Sequence, residues 1–145
     1  MMPALPASEK NMDRLFFDTN ILLDVLEQRA PWFPEAAECL ARARRGQCAG
    51  AISALSLSDI AYIQKLASIS TLYKSFRCLR KFLDIASLNT DTVDASLSRQ
   101  LPDIEDGFQL EAALNWKATH LLTRNVKDFP LDAPIIIQTP AQYLQ

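Results

Sequence analysis

Glycine is scarce in this 145-residue chain: Gly46, Gly50 and Gly107 are all it has. Three isolated glycines cannot build a GxGxxG or GxxxxGKS/T loop, so dinucleotide-binding and P-loop readings lose their main support. Histidine is scarcer still. His120 alone rules out multi-histidine metal sites. A serine–histidine pair would have to use it, and in the run ATHLLT a packing role is the simpler reading. The cysteines Cys39, Cys48 and Cys78 are odd in number, widely spaced and free of any CxxC pair. That argues against structural zinc or a disulfide framework and for a reduced, cytoplasmic setting. No apolar run approaches the roughly 18 residues a membrane helix needs, so no membrane partner is expected. An excess of positive charge is also missing. Lys and Arg number 15 against 17 Asp and Glu, for a net charge of −2. A protein that coats nucleic acid is therefore not expected. An enzyme that touches a short piece of it, through a local basic patch and metal ions, is compatible with this charge.

The remainder is an ordinary globular mixture, 49% hydrophobic and 22% charged, in a length suited to one compact domain. Residues 1–13 lack the basic start and apolar centre of a signal peptide and read as a flexible arm. Residues 14–145 read as the single domain. Arg14 to Phe17 predicts a buried strand, followed by a helix over 20–29 that Pro31 and Pro34 end. A second helix is predicted over 34–45, stopped by Gly46. CAGAIS, 48–53, predicts a short strand, with a helix over 56–67 behind it. From Ser70 to Asp84 the residues Leu72, Phe76, Leu79 and Leu83 recur at spacings of four, three and four, an amphipathic helix. Ile85–Asn89 reads as a strand, 92–99 as a short helix and 103–117 as a longer one. HLLT and PIIIQ are the last strands, separated by the loop RNVKDFP. Short apolar strands alternating with helices predict an α/β domain with a central parallel sheet.

Ligands of open parallel sheets bind beyond the carboxyl ends of the strands. Several acids fall at those junctions: Asp18 after strand one, Asp59 near the start of the third helix, Asp103 and Asp106 on one helical face, and Asp128 after HLLT. Each has a bland explanation. Asp18 or Asn20 serves as a helix N-cap, and Ser56-x-x-Asp59 and Asp103-x-x-Asp106 resemble capping boxes. Taken together they suggest converging carboxylates, which repel unless protonated or neutralised by a cation. Hard oxygen ligands of this kind suit Mg²⁺ or Mn²⁺.

Four segments carry a family resemblance: FFDTNILLD, AISALSLSDIAYI, DIEDGFQLEAA and LLTRNVKDF. In order, spacing and flanking pattern they resemble the PIN-domain ribonucleases, which include the VapC-type toxins of bacterial toxin–antitoxin pairs. The resemblance runs over residues 14–144. It implies a three-layer α/β/α sandwich and a Mg²⁺- or Mn²⁺-dependent endoribonuclease. Asp18, Asp59 and Asp106 become the catalytic, metal-binding acids. Thr19, Asn20, Asp103, Thr123, Asn125 and Asp128 become their supports. It also implies an RNA substrate, an antitoxin partner and a homodimer. The chain departs from the family pattern in carrying Asp rather than Glu at 59, Asn at 125 and Gly rather than Ala at 107. Glu105, next to Asp106, is expected to point elsewhere on the helix. Pro102 and Gly107 suggest a close backbone approach.

Among the basic residues, Arg124 stands nearest the acids and is the candidate phosphate contact. Lys74, Arg77 and Lys81 lie opposite the apolar stripe of their helix, and Arg42, Arg44 and Arg45 crowd a helix C-terminus, where cations are favoured anyway. Trp32, Phe33 and Trp116 read as packing residues. Two rival functions fit less well: a catalytically weak or inactive PIN-fold module that binds RNA or protein, and a phosphoryl-transfer domain with Asp18 as nucleophile. The second lacks the DxD start, since position 20 is Asn.

Overall fold

The computed structural model describes residues 12–145. Most of the predicted N-terminal arm lies outside the described residues. Its end, Met12 and Asp13, belongs to the fold: Met12 packs against the core, and the Asp13 carbonyl accepts from Ala49 N–H at 2.9 Å.

Five strands form one parallel sheet: β1 (Arg14–Phe17), β2 (Ala49–Ser53), β3 (Leu83–Ala86), β4 (His120–Leu122) and β5 (Ile136–Gln138), in the spatial order β3-β2-β1-β4-β5. The chain reverses direction of growth at β1, with β2 on one side and β4 on the other, so Asp18 emerges at the point where the strand order switches. Among the described residues there are seven α-helices: α1 (Thr19–Leu26), α2 (Phe33–Arg44), α3 (Ala54–Ile63), α4 (Ile69–Arg80), α5 (Thr90–Arg99), α6 (Ile104–Asn115) and α7 (Pro140–Tyr143).

Alternation along the central strands divides the core in two, as the period of a strand requires. Leu15, Phe17, Ile52 and Leu122 face α1 to α4, meeting Ile21, Leu22, Cys39, Leu40, Ile60 and Leu79. Phe16, Ala51 and Leu121 face the other way, toward Leu110, Ala112 and Ala113 of α6. Both faces of the sheet are thus covered, which gives the three-layer α/β/α arrangement predicted from the sequence. The edge strands are more open: Asp84 and Ile85 of β3 and Ile136 of β5 are exposed.

Several predicted boundaries differ: the helix predicted over 56–67 is Ala54–Ile63, and the strand predicted over 85–89 is Leu83–Ala86. The amphipathic helix stops at Arg80, not Asp84, because Leu83 pairs with Gly50 across the sheet and is buried there. Leu83 continued the helical spacing but belongs to a strand. The first helix ends at Leu26, well before Pro31, where Gln28 takes a left-handed φ of 49°.

Gly107 does mark a close approach, made by α5. A Cβ there would lie 2.5 Å from Ser96 Oγ and 3.7 Å from Ser96 Cβ. The Ser96 hydroxyl is buried without a hydrogen-bond partner among the described residues. Replacing it by alanine therefore removes the obstacle and loses no bond. The double variant Gly107→Ala/Ser96→Ala is expected to be more stable than wild type by up to about 1 kcal/mol, from helix propensity. Urea unfolding checks this; a double variant weaker than wild type would show that the glycine serves something other than packing.

Candidate active site

Asp18 follows the last residue of β1, and three buried apolar residues ahead of it carry it to the rim of the sheet. It is itself buried and caps α1, with Oδ1 accepting from Thr19 N–H at 2.8 Å. The cap and the site are thus one feature. Oδ2 accepts from the Thr123 hydroxyl at 2.9 Å. Oδ1 also accepts from Gln109 Nε2 at 3.2 Å.

Gln109 is the hub of the buried layer. Its Oε1 accepts from the Ser53 hydroxyl at the end of β2. Its Nε2 also lies 3.1 Å from Ser56 Oγ and 3.2 Å from Thr19 Oγ1, which are 2.8 Å from each other. One fully buried amide from α6 therefore ties together β1, β2, α1 and α3. Ser56 is accordingly not half of a capping box. The N-cap of α3 is Ser53, without a side-chain cap bond, and Ser56 points inward. Asp103 is a true N-cap, accepting from Glu105 N–H at 2.9 Å and Asp106 N–H at 3.4 Å.

Above this layer a cleft of about 360 Å³ brings together Asp18, Asp59, Asp103, Glu105 and Asp106, with Thr19, Asn20 and Asn125 on its walls. Tyr62 and Ile63 form an apolar lip. Four of the acids expected to converge, Asp18, Asp59, Asp103 and Asp106, share one cleft, and Asp128 does not line it. Glu105, expected to point away, lies in it as well. Glu105 stands four residues before Gln109 on α6, so the two share a helical face that looks at the carboxyl ends of the strands. That spacing was present in the sequence. Gln109 itself was missed because a polar residue in a helix ordinarily faces water, although Ala112 and Ala113, three and four residues on, show that its face is buried.

Asp128 and Lys127 line an adjoining cleft of about 710 Å³, which shares Asp103 and Asp106 with the first. The larger cleft holds fewer acids, three against five in the smaller. Asp128 acts on Asp106 through its charge, across the wall between the clefts.

Crowding changes the protonation of this cleft. Burial raises Asp18 above the ordinary carboxylate range, against the opposing pull of Thr123, the Thr19 N–H and Gln109. Asp106 is pushed up to about 7, by burial first and then by the charges of Asp103, Asp18 and Asp128. Glu105 rises to about 8, chiefly because it hydrogen-bonds Asp59, with burial and the charge of Asp59 adding to it. Among the described residues no three acidic side chains close on one point tightly enough to enclose an ion as they stand. The donor set nevertheless fits a hard divalent cation. Every candidate ligand is oxygen, and Asp106 and Glu105 hold protons near neutral pH that a cation would replace.

Arg124 is placed differently from the phosphate contact expected of it. It does not line the acidic cleft. Its Nε lies 2.9 Å from Oδ2 of the fully buried Asp24, in ion-pair contact though not aligned for a hydrogen bond. Its guanidinium sits 4.0 Å over the Trp32 ring. His120 packs edge-on against Tyr143 and lies far from any nucleophilic role: its Nδ1 is 2.7 Å from Thr119 Oγ1. Trp116 is partly buried against the second core cluster and donates to Asp84 at 3.1 Å.

Comparison with solved structures finds the same fold. A chain of a toxin–antitoxin complex from Klebsiella pneumoniae is 24% identical with a TM-score of 0.65, over 87% of this chain and 97% of that one. A chain of Rickettsia felis VapBC2, crystallised with a DNA fragment from their promoter, is 16% identical with a TM-score of 0.62, over 87% and 98%. No curated protein matches. The family description "PIN domain" matches residues 14–127, from β1 through the loop after β4. The match takes in Asp18, Asp59, Glu105, Asp106 and Gln109, and on that ground the chain belongs to the PIN domain family.

Proposed function

We propose that this protein is a metal-dependent endoribonuclease and the toxin of a toxin–antitoxin pair. The observation that carries the reading is the crowding of five carboxyls in one cleft at the carboxyl ends of parallel strands, two of them holding protons to about 7 and 8. Asp18, Asp59 and Asp106, with Glu105 beside them, would hold Mg²⁺ or Mn²⁺. A bound ion would offset the negative charge that develops on a phosphodiester and make water a competent nucleophile near neutral pH.

The chain's own residues prepare that cleft. Gln109, Thr123 and the Thr19 N–H fix both oxygens of Asp18. The hydroxyls of Thr19 and Ser56 are bonded inward to each other and to Gln109, so neither is offered as a covalent nucleophile. Direct attack by water, leaving a 5′-phosphate and a 3′-hydroxyl, is the reaction this arrangement suits. An antitoxin partner is supported by the two toxin–antitoxin structures of like fold. An RNA substrate, a homodimer and a cytoplasmic setting belong to the same proposal. No helix among the described residues is long and apolar enough to cross a membrane.

The test is cleavage of single-stranded RNA by the purified protein with Mg²⁺ or Mn²⁺, abolished by EDTA. Wild type that cuts with neither ion, yet binds RNA, favours the inactive binding module. A pH dependence follows as well. Asp106 and Glu105 hold protons in the folded protein that the unfolded chain releases at lower pH. Without divalent ion, stability therefore falls as pH rises from the ordinary carboxylate range through about 7 to 8. Mn²⁺ should raise Tm more at pH 8.5 than at pH 6, and its uptake at neutral pH should release protons, read by calorimetry in buffers of different ionisation enthalpy. A Tm increment independent of pH would contradict ligation by these acids.

A further inference from the structure

Behind the cleft lies a buried ion pair that the proposed reaction leaves unused. Asp24 is on α1, the helix that Asp18 caps, and is fully buried. Its partner Arg124 directly follows Thr123, whose hydroxyl holds Asp18 Oδ2. The Arg124 side chain is clamped between Asp24 at 2.9 Å and the Trp32 ring at 4.0 Å. Its backbone N–H donates to Asn20 Oδ1 at 3.4 Å, and the next N–H, of Asn125, donates to Thr123 Oγ1 at 3.1 Å. Anchoring Arg124 therefore anchors the whole turn Thr123–Asn125 to α1. Asn20 and Asn125 are themselves walls of the acidic cleft.

We propose that Asp24, Arg124 and Trp32 are positioning residues: they lock the turn after β4 onto α1, so that Thr123 and Asn125 meet Asp18 in one arrangement. A buried ion pair is a poor source of net stability, because desolvation of both charges offsets their attraction. Its use here is geometric. Groups that orient a ligand side chain are typically worth about ten- to a hundredfold in metal affinity or activity. The rival is that Arg124 is a substrate phosphate contact, merely parked on Asp24 in the free protein.

Asp24→Asn separates the two, because they predict opposite signs. Positioning predicts a fall in kcat of about ten- to a hundredfold, little change in KM, and Mn²⁺ binding weakened by about tenfold. A parked phosphate contact predicts the reverse: Arg124 is freed, KM falls and kcat holds. Trp32 is half-exposed, so Trp32→Leu should fold even if Asp24→Asn does not, and should lower kcat and Mn²⁺ affinity in the same direction by a smaller factor. Arg124→Lys, which keeps a cation beside Asp24, should recover part of the kcat that Arg124→Met loses. Wild-type kcat and Mn²⁺ affinity in Trp32→Leu, or a lowered KM in Asp24→Asn, would overturn the proposal. The kinetic readout rests on the nuclease reading, whereas Mn²⁺ affinity does not. Wild type that binds Mn²⁺ but cuts no RNA refutes that reading and leaves calorimetry of the variants to decide this one.

Discussion

Asp18→Asn is expected to lower RNA cleavage by at least about a hundredfold while leaving the protein folded and somewhat more resistant to heat. Both halves follow from the same environment. The amide keeps an oxygen where Oδ1 accepts from the Thr19 N–H and Gln109. Its nitrogen takes the place of Oδ2, so the Thr123 hydroxyl must turn from donor to acceptor, which a hydroxyl can do at the cost of its own hydrogen losing that acceptor, a cost set against the charge that the amide relieves. What is lost is the charge. Burial raises the Asp18 pKa, which means that holding the ionised form there costs the fold stability at neutral pH. The amide removes that cost, and with it the anion a divalent cation needs. Single-turnover cleavage and thermal unfolding on the same preparation check both. Equal activity in the two proteins, surviving repurification, would sink the assignment of Asp18. A marked loss of Tm would mean that the cap, not the charge, is what the position supplies.

That Asp18 stood at a sheet rim was legible because three consecutive apolar residues before an acid permit few other placements in a parallel sheet. Likewise Asp59, Asp106 and the TRNVKDF turn were legible as strand-end features, since the order of strands and helices could be read from apolar runs and spacings. The division of labour around them was not. Glu105 and Asp106 are neighbours in sequence, and either could face the cleft until the rotation of α6 is known. That rotation is set by packing: Leu110 and Ala113 seat the helix on the sheet, and Glu105 and Gln109 then fall on the inner side along with Asp106. Arg124 shows a different limit. Proximity to the acids in sequence suggested a substrate contact, but Asp24 was not read as a buried acid needing a partner. A carboxylate at that position of an amphipathic helix looks solvent-facing until Arg124, from the turn after β4, pairs with it. Leu83 misled for a third reason. Its helical spacing was real, yet the gap left by Gly50 in the neighbouring strand gave it a better place: a Cβ on Gly50 would lie 2.7 Å from Leu83 Cδ2. In each case the sequence specified which residues matter more surely than which neighbour each would choose.

Gln109→Leu is expected to destabilise the protein by about 3 kcal/mol, the largest loss from any single change in this site. Leucine matches the amide in size, so no large cavity forms, and the cost is polar. The Ser53 hydroxyl is fully buried and has Gln109 as its acceptor, so it is left an orphan. Ser56 and Thr19 lose a donor but keep each other at 2.8 Å, and Asp18 keeps the Thr19 N–H and Thr123. Most of the penalty therefore traces to one hydroxyl. Removing that hydroxyl too should recover much of it, because replacing both partners of a buried hydrogen bond with apolar groups is far cheaper than removing one. Gln109→Leu/Ser53→Ala should accordingly be more stable than Gln109→Leu alone, a non-additivity that a double-mutant cycle in urea measures directly. RNA cleavage should not recover with it. Asp18 still lacks the donor that Gln109 supplied, and a carboxylate held by one fewer bond is free to turn away from the cleft. Stability restored without activity would separate the two services of Gln109: satisfying Ser53 for the fold, and orienting Asp18 for the reaction. Restoration of both would reduce Gln109 to a structural residue, and strict additivity would show that Ser53 finds another acceptor when the amide is gone.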